Sequence, residues 1–178
     1  VGNTLYFRAD DGTNGWELWK SDGTSTGTVM VKDINSGTGN GSTPNFLTAV
    51  GNTLYFQAND GTNGYGLWKS DGTSNGTVMV KNISPYGLTA VGNTLYFRAN
   101  DGTNGVELWK SDGTSNGTVM VKDINSGTCS SGSSTPLLLT AVGNTLYFRA
   151  TDCNGSELWK SDGTSSGTVM VKDINSES

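Results

Sequence analysis

The chain has 178 residues, enough for one domain, and a formal net charge of −5 with no cluster of Lys or Arg, which argues against nucleic acid as a partner. No apolar run approaches the ~20 residues of a membrane span, and the absence of His removes the commonest general base and metal ligand. With 26 Gly and a hydrophobic fraction of 33%, long helices are disfavoured and a core is attainable only if small units share their interfaces.

In chain order, the segment E-L-W-K-S-D-G-T occurs at residues 17–24, as G-L-W-K-S-D-G-T at 66–73, and again at 107–114 and 157–164. Aligning on Trp19, Trp68, Trp109 and Trp159 gives spacings of 49, 41 and 50 residues, periods that belong to repeat architectures, propellers among them. The repeats cover residues 1–35, 44–84, 85–125 and 136–178 of one domain. Each full unit reads as four short strands. In the third unit they are residues 88–91, 94–99, 106–110 and 118–124, bounded by Gly/Asn/Asp/Ser turns.

Consecutive side chains of Leu95-Tyr96-Phe97 point to opposite faces yet all are large, as they are in Leu108-Trp109 and Val119-Met120-Val121. Strands apolar on both faces predict sheets packed on either side. The expected fold is all-β, a four-bladed β-propeller of four tandem four-stranded repeats, with a two-sheet sandwich as the alternative. Pro44, Pro85 and Pro136 each precede a first strand, where a missing N–H is tolerated. Those first strands carry small residues (Thr48-Ala49, Thr89-Ala90, Thr140-Ala141), as an innermost strand requires. The first repeat starts at the turn Val1-Gly2-Asn3, so its innermost strand is missing and fifteen strands are expected. Its open edge, at Val1, Thr4, Leu5, Tyr6 and Phe7, is a template for another chain. The start at Val1 reads as a removed leader or a piece of a longer chain.

Arg8, Arg98 and Arg149 accompany Glu17, Glu107 and Glu157, and the second repeat loses both, having Gln57 and Gly66. This covariation predicts a cross-strand ion pair in each intact copy. Cys129 and Cys153 both belong to the last repeat and its preceding insertion. They read as a disulfide formed in an oxidising compartment, against two unrelated thiols. The loops containing Asp10 and Asp11, Asp60, Asp101 and Asp152 read as hairpin turns, with a Ca²⁺ site as the lesser reading because the distal acidic ligand is lacking. Asp22, Asp71, Asp112 and Asp162 suit turn formation, and a lectin-like role beside the Trp is the weaker alternative. Asn40, Asn75, Asn116 and Asn154 match the glycosylation acceptor pattern, as does Asn82 ahead of Pro85. The Ser/Thr clusters at 42–43 and 130–135 are candidates for O-linked sugar. No nucleophile–base pair, phosphate loop or cofactor motif is present, so no enzymatic activity and no cofactor are expected.

The repeated unit P-x-x-L-T-A-V-G-N-T-L-Y-F-x-A-x-D-G-T-N-G-x-E-L-W-K-S-D-G-T-x-x-G-T-V-M-V-K-D-I resembles the ELWxxDGT repeat family of large secreted or surface proteins of microbes. The likeness spans nearly the whole chain apart from insertions at 36–43 and 126–135. It implies a propeller-like fold and a location outside the cell or on its surface, and no reaction. The function expected is that of a structural subunit that joins copies of itself, head to tail into a filament. The alternatives are a surface module binding glycans or proteins, and a fragment of a longer array.

Overall fold

A computed structural model describes residues 1–37, 39, 41–126 and 132–174. Among them there are fifteen strands and no helix, and therefore no helix long and apolar enough to cross a membrane. The strands are β1 (Leu5–Asp10), β2 (Trp16–Ser21), β3 (Val29–Lys32), β4 (Asn45–Val50), β5 (Thr53–Asn59), β6 (Tyr65–Ser70), β7 (Val78–Lys81), β8 (Tyr86–Val91), β9 (Thr94–Asn100), β10 (Val106–Ser111), β11 (Val119–Lys122), β12 (Leu137–Val142), β13 (Thr145–Asp152), β14 (Gly155–Ser161) and β15 (Val169–Lys172). They form antiparallel meanders in chain order: one three-stranded sheet, β1-β2-β3, and three four-stranded sheets, β4 to β7, β8 to β11 and β12 to β15. The chain divides into two compact units, Val1–Ser84 and Pro85–Ser178, each holding two sheets.

Local chemistry accounts for the meanders. The first two strands of each four-stranded sheet join through Gly-Asn, as in Val50↔Thr53, and the Gly sits at φ +57, +56 and +57 in the three copies. A two-residue hairpin with Gly first has the twist that antiparallel strands need. The alternation of β5 places large side chains on both faces, and Leu54, Tyr55, Phe56 and Ala58 are all buried. In Val1–Ser84, Leu18, Val31 and Ile34 of the first sheet close on Leu54, Phe56, Ala58 and Trp68 of the second. In Pro85–Ser178 the same positions meet: Leu108, Val121 and Ile124 against Leu146, Phe148, Ala150 and Trp159.

The first strand of each four-stranded sheet begins with a bulge. Register shifts between Asn45 and Thr48, Tyr86 and Thr89, and Leu137 and Thr140. The extra residue has a left-handed backbone: Phe46 at φ +57, Gly87 at +64 and Leu138 at +57. Only the middle repeat has the residue that adopts this conformation freely. Leu138 is an exposed side chain with little packing to lose, so Leu138→Gly is expected to stabilise the protein by about 0.5–1 kcal/mol. The check is a rise in the urea midpoint at unchanged slope.

Candidate functional site

The S-D-G-T-x-x-G-T segment following β2, β6, β10 and β14 is a self-closed turn. Asp22 Oδ1 accepts the Thr24 N–H at 2.9 Å and the Thr24 hydroxyl at 2.7 Å. Thr24 Oγ1 in turn accepts the Gly27 N–H at 2.9 Å. The Thr28 hydroxyl returns to Thr24 O at 2.6 Å and lies 2.8 Å from Ser21 Oγ. A Cβ on Gly27 would stand 2.0 Å from Asp22 Oδ1, and Gly76, Gly117 and Gly167 face Asp71, Asp112 and Asp162 in the same way. The second Gly of the signature is thus required by the carboxylate across the loop, beyond any need of its own backbone.

The loops between β1 and β2, β5 and β6, and β9 and β10 are built the same way from one Asp each. Asp11 Oδ1 accepts the N–H groups of Thr13 and Asn14 at 2.9 and 2.8 Å, and Oδ2 accepts Asn14 Nδ2 at 2.7 Å. Asp60 and Asp101 repeat the set with Asn63 and Asn104. Asp10 Oδ1 accepts the Gly12 N–H at 2.8 Å. These oxygens are spent on their own turns. Asp152 departs from the pattern. The last repeat is one residue shorter here, Asp152 lies opposite Gly155 at a tight Cys153-Asn154 turn, and its Oδ1 accepts the Asn154 N–H at 2.8 Å. Among the described residues no cluster of three or more acidic or Cys side chains is placed to hold a metal.

These hydrogen bonds give the protein a pH response. Asp11, Asp60 and Asp101 are held below the usual carboxylate range by donation from the following Asn, and Asp22, Asp71 and Asp162 by the following Thr hydroxyl. A carboxyl whose folded pKa is depressed stabilises the fold above its unfolded value, about 3.9 for Asp, and that contribution is lost as pH falls through the folded value. The urea midpoint is therefore expected to fall as the pH drops below about 4. A midpoint that is flat from pH 5 to pH 3 would contradict this. Glu107 opposes the trend: burial first of all raises its pKa, so its own contribution declines as pH rises past the ordinary Glu range.

The expected Arg–Glu pairs do not form. Arg8 lies opposite Leu18 and Glu17 opposite Ala9, so with a period of two the Arg and Glu side chains leave opposite faces of the sheet. The same register separates Arg98 from Glu107 and Arg149 from Glu157. Arg8 Nη1 instead donates to Asn45 Oδ1 at 2.7 Å and its guanidinium lies 5.4 Å from the Trp16 ring centroid. Arg98 lies 5.8 Å from the Tyr86 ring, and Arg149 is exposed.

The Glu has a different use, which the sequence reading missed. Glu17 is fully buried and clasps the segment that leads to the next sheet. Its Oε2 accepts the Ile34 N–H at 3.1 Å and the Ser42 hydroxyl at 2.5 Å, and Oε1 accepts the Ser42 N–H at 2.7 Å. Glu107 does the same with the Ile124 N–H at 3.1 Å, the Ser134 N–H at 2.6 Å and the Ser134 hydroxyl at 2.5 Å. The repeat lacking this Glu has almost no segment to hold: Ile83 is two positions before Pro85, and the Ile83 N–H goes to Lys81 O at 2.9 Å. The legible signal was that Glu is lost where the connection is short. Ser42 and Ser134 are buried in these clasps, which corrects their assignment as sugar-bearing surface; a hydroxyl donating to an enclosed carboxylate is not presented to a modifying enzyme.

Trp68, Trp109 and Trp159 are buried, so they offer no stacking platform to a sugar. The exposed aromatics among the described residues are Trp16, Phe46, Tyr65 and Tyr86. Asn75, Asn116 and Asn154 are exposed, whereas Asn40 and Cys129 lie outside the described residues. Cys153 Sγ is 3.9 Å from Asn125 Oδ1. A groove of about 310 Å³ runs beside Lys69, Asp71 and Asn75, with counterparts of about 230 Å³ at Lys110 and Asp112 and about 260 Å³ at Lys160 and Asp162. At the β1 edge, the pairing is with β2 on one side only. Val1 and Tyr6 turn toward the second sheet, and Leu5 is exposed.

Comparison with protein families and with curated proteins finds no match. Solved structures do match in fold. The chain is similar to a puromycin hydrolase (14% identity, TM-score 0.61, 97% of this chain and 28% of that one). It is also similar to the acylaminoacyl peptidase of Pyrococcus horikoshii (10%, 0.59, 97% and 26%) and to oligopeptidase B of Leishmania major (14%, 0.55, 97% and 26%). The matched parts are the β-propeller domains of these peptidases. The chain spans about a quarter of their length, so the likeness establishes a propeller-like, all-β arrangement of repeated sheets and carries no peptidase activity with it.

Proposed function

We propose that this chain is a non-catalytic structural protein working outside the cell, whose propeller blades assemble with copies of itself. The observation that carries the reading is the first sheet: three strands where every other described sheet has four, with β1 paired on one side only. A row of unpaired N–H and C=O groups beside exposed Leu5 is a site of association. Four sheets of propeller type favour a four-bladed unit. The extracellular location rests on the likeness to ELWxxDGT repeats and on the pairing expected of Cys129 with Cys153; exposed Asn75 and Asn116 suit sugar attachment there. Sedimentation velocity across a concentration series tests the reading. Species heavier than the 18.6 kDa chain, growing with concentration, are expected; a sharp monomer at every concentration ends it.

A second reading is a glycan-binding module, favoured by the groove that recurs beside Asp71, Asp112 and Asp162. It predicts hits on a glycan array probed with and without Ca²⁺, and an array blank under both conditions removes it.

A further inference from the structure

Differences between the repeats collect at one end of each sheet. At the end formed by the Gly-Asn hairpins and the S-D-G-T turns the copies are almost identical. At the other end, the position two before each Leu-Trp pair is Trp16, Tyr65, Val106 and Ser156 in turn, and the first strands open with Asn45-Phe46, Tyr86-Gly87 and Leu137-Leu138. The pairings Asp10↔Trp16, Asn59↔Tyr65 and Asn45↔Gln57 set these positions together there. Turns and core demand sameness, so exposed positions that vary in one place are where a repeat protein carries recognition. From the residues that Val1–Ser84 holds at this end we infer a binding site for an acidic polysaccharide, a chain of uronate sugars laid across Trp16 with a carboxylate on Arg8. The inference rests on the glycan-binding reading above, but puts the sugar at the opposite end of the sheets from the groove beside Asp71.

One hydrogen-bonded network ties the site together. Arg8 Nη1 donates to Asn45 Oδ1 at 2.7 Å, and the guanidinium lies 5.4 Å from the Trp16 ring centroid. Asn45 Nδ2 donates to Thr43 O at 3.0 Å. The Thr43 N–H donates to Trp16 O at 2.9 Å, and Thr43 Oγ1 lies 2.8 Å from the Tyr65 hydroxyl. The adjoining Ser42 is clasped by Glu17, so the segment bearing Thr43 and Asn45 is fixed before a ligand arrives. Trp16 and Phe46 are each 43% exposed and Tyr65 40%. Phe46 has φ +57, a strained conformation for any residue but Gly, and yet it carries a large ring in water where Gly87 makes the same bulge without strain.

The ligand class follows from the charge and the shape. Among the described residues Arg8 is held by an amide and an indole and by no carboxylate. Asp10, two positions along the same strand face, turns its Oδ1 to the Gly12 N–H at 2.8 Å. A guanidinium fixed flat, with N–H groups to spare, is a fork for an external carboxylate. Aromatic rings take the C–H face of a sugar while Asn45 and Arg8 meet its polar edge. Half-exposed rings form an open platform rather than an enclosing cavity, which suits a polymer laid across it. The framework recurs in Pro85–Ser178 without the platform. Thr135 has φ +45 and its N–H donates to Val106 O at 2.9 Å, but Val106 stands in place of Trp16 and Leu137 in place of Asn45, and Arg98 lies 5.8 Å from the Tyr86 ring. One site per chain is expected.

The experiment titrates the 178-residue chain calorimetrically with tetrasaccharides of galacturonate, glucuronate and mannuronate, and with maltotetraose as a neutral sugar of the same length. The wild type is expected to bind at least one of the uronates at one site per chain, more weakly as salt rises, and to bind maltotetraose at least tenfold more weakly. Two variants are compared, Trp16→Val and Arg8→Gln. Each installs the residue that another repeat has at that place, Val106 and Gln57, so both are expected to fold, as circular dichroism checks. Trp16→Val should weaken binding about tenfold or more. Arg8→Gln should weaken uronate binding by about tenfold and remove its salt dependence. Uronate binding that Trp16→Val leaves unchanged overturns the site and leaves the groove beside Asp71 as the place for a glycan. Equal affinity for maltotetraose and the uronates, or a salt dependence that survives Arg8→Gln, overturns the acidic ligand. A wild type that binds no uronate overturns the inference, whereas the glycan-binding reading falls only if the array is blank as well.

Discussion

Glu107→Ala is expected to cost the protein about 3–5 kcal/mol, the range for stripping a buried charged group from its partners. Three donors converge on that carboxylate, two from Ser134 and one from the Ile124 N–H, and the site is shut off from solvent. Removing the acceptor leaves buried N–H and O–H groups with no water to turn to. Glu107→Gln is expected to fall between, since an amide nitrogen cannot accept where an oxygen did. Glu157→Ala supplies the internal control. Among the described residues Glu157 holds one such donor, the Ile174 N–H at 2.9 Å, so its loss should cost only about 1 kcal/mol. Urea unfolding followed by Trp fluorescence measures both. Equal costs would mean that the clasp contributes nothing beyond the packing of the side chain.

Phe148→Ala is expected to cost about 3–5 kcal/mol, and Phe7→Ala in the monomer about 1 kcal/mol. The two residues hold the same place in their repeats, opposite Trp159 and Trp19 in their sheets. Phe148 is enclosed by Leu108, Val121 and Ile124 of the preceding sheet, and its deletion leaves a cavity that rigid strands cannot close. Phe7 is half-exposed, so truncation there removes much less buried area. The same unfolding experiment, run at a concentration where sedimentation shows monomer, decides between them. A large cost at Phe7 would mean that the first sheet's outer face is already covered.

What was legible in the sequence followed from short-range chemistry. The Gly-Asn hairpins, the Asp-centred turns and the two-faced apolar strands are each set within about seven residues, and each recurs from repeat to repeat. That is why fifteen strands could be counted from Leu-Tyr-Phe, Leu-Trp and Val-Met-Val and then found in sheets of three, four, four and four. The Arg–Glu pairing failed because covariation shows which residues go together and not which face each takes; a shift of one residue in register reverses the face. The bulges at Phe46 and Leu138 were equally silent, since neither residue type announces a left-handed backbone.

By itself the amino-acid sequence determined the repeat, its strands and turns, and the need for each sheet to be covered on both faces. Only the tertiary structure decided where Glu17 and Glu107 send their carboxylates, to serines 25 and 27 positions away. The physical reason is that turn and strand preferences are satisfied by neighbours along the chain. Burial is satisfied only by another sheet, brought up from outside the repeat, and a carboxylate inside it finds its partners there.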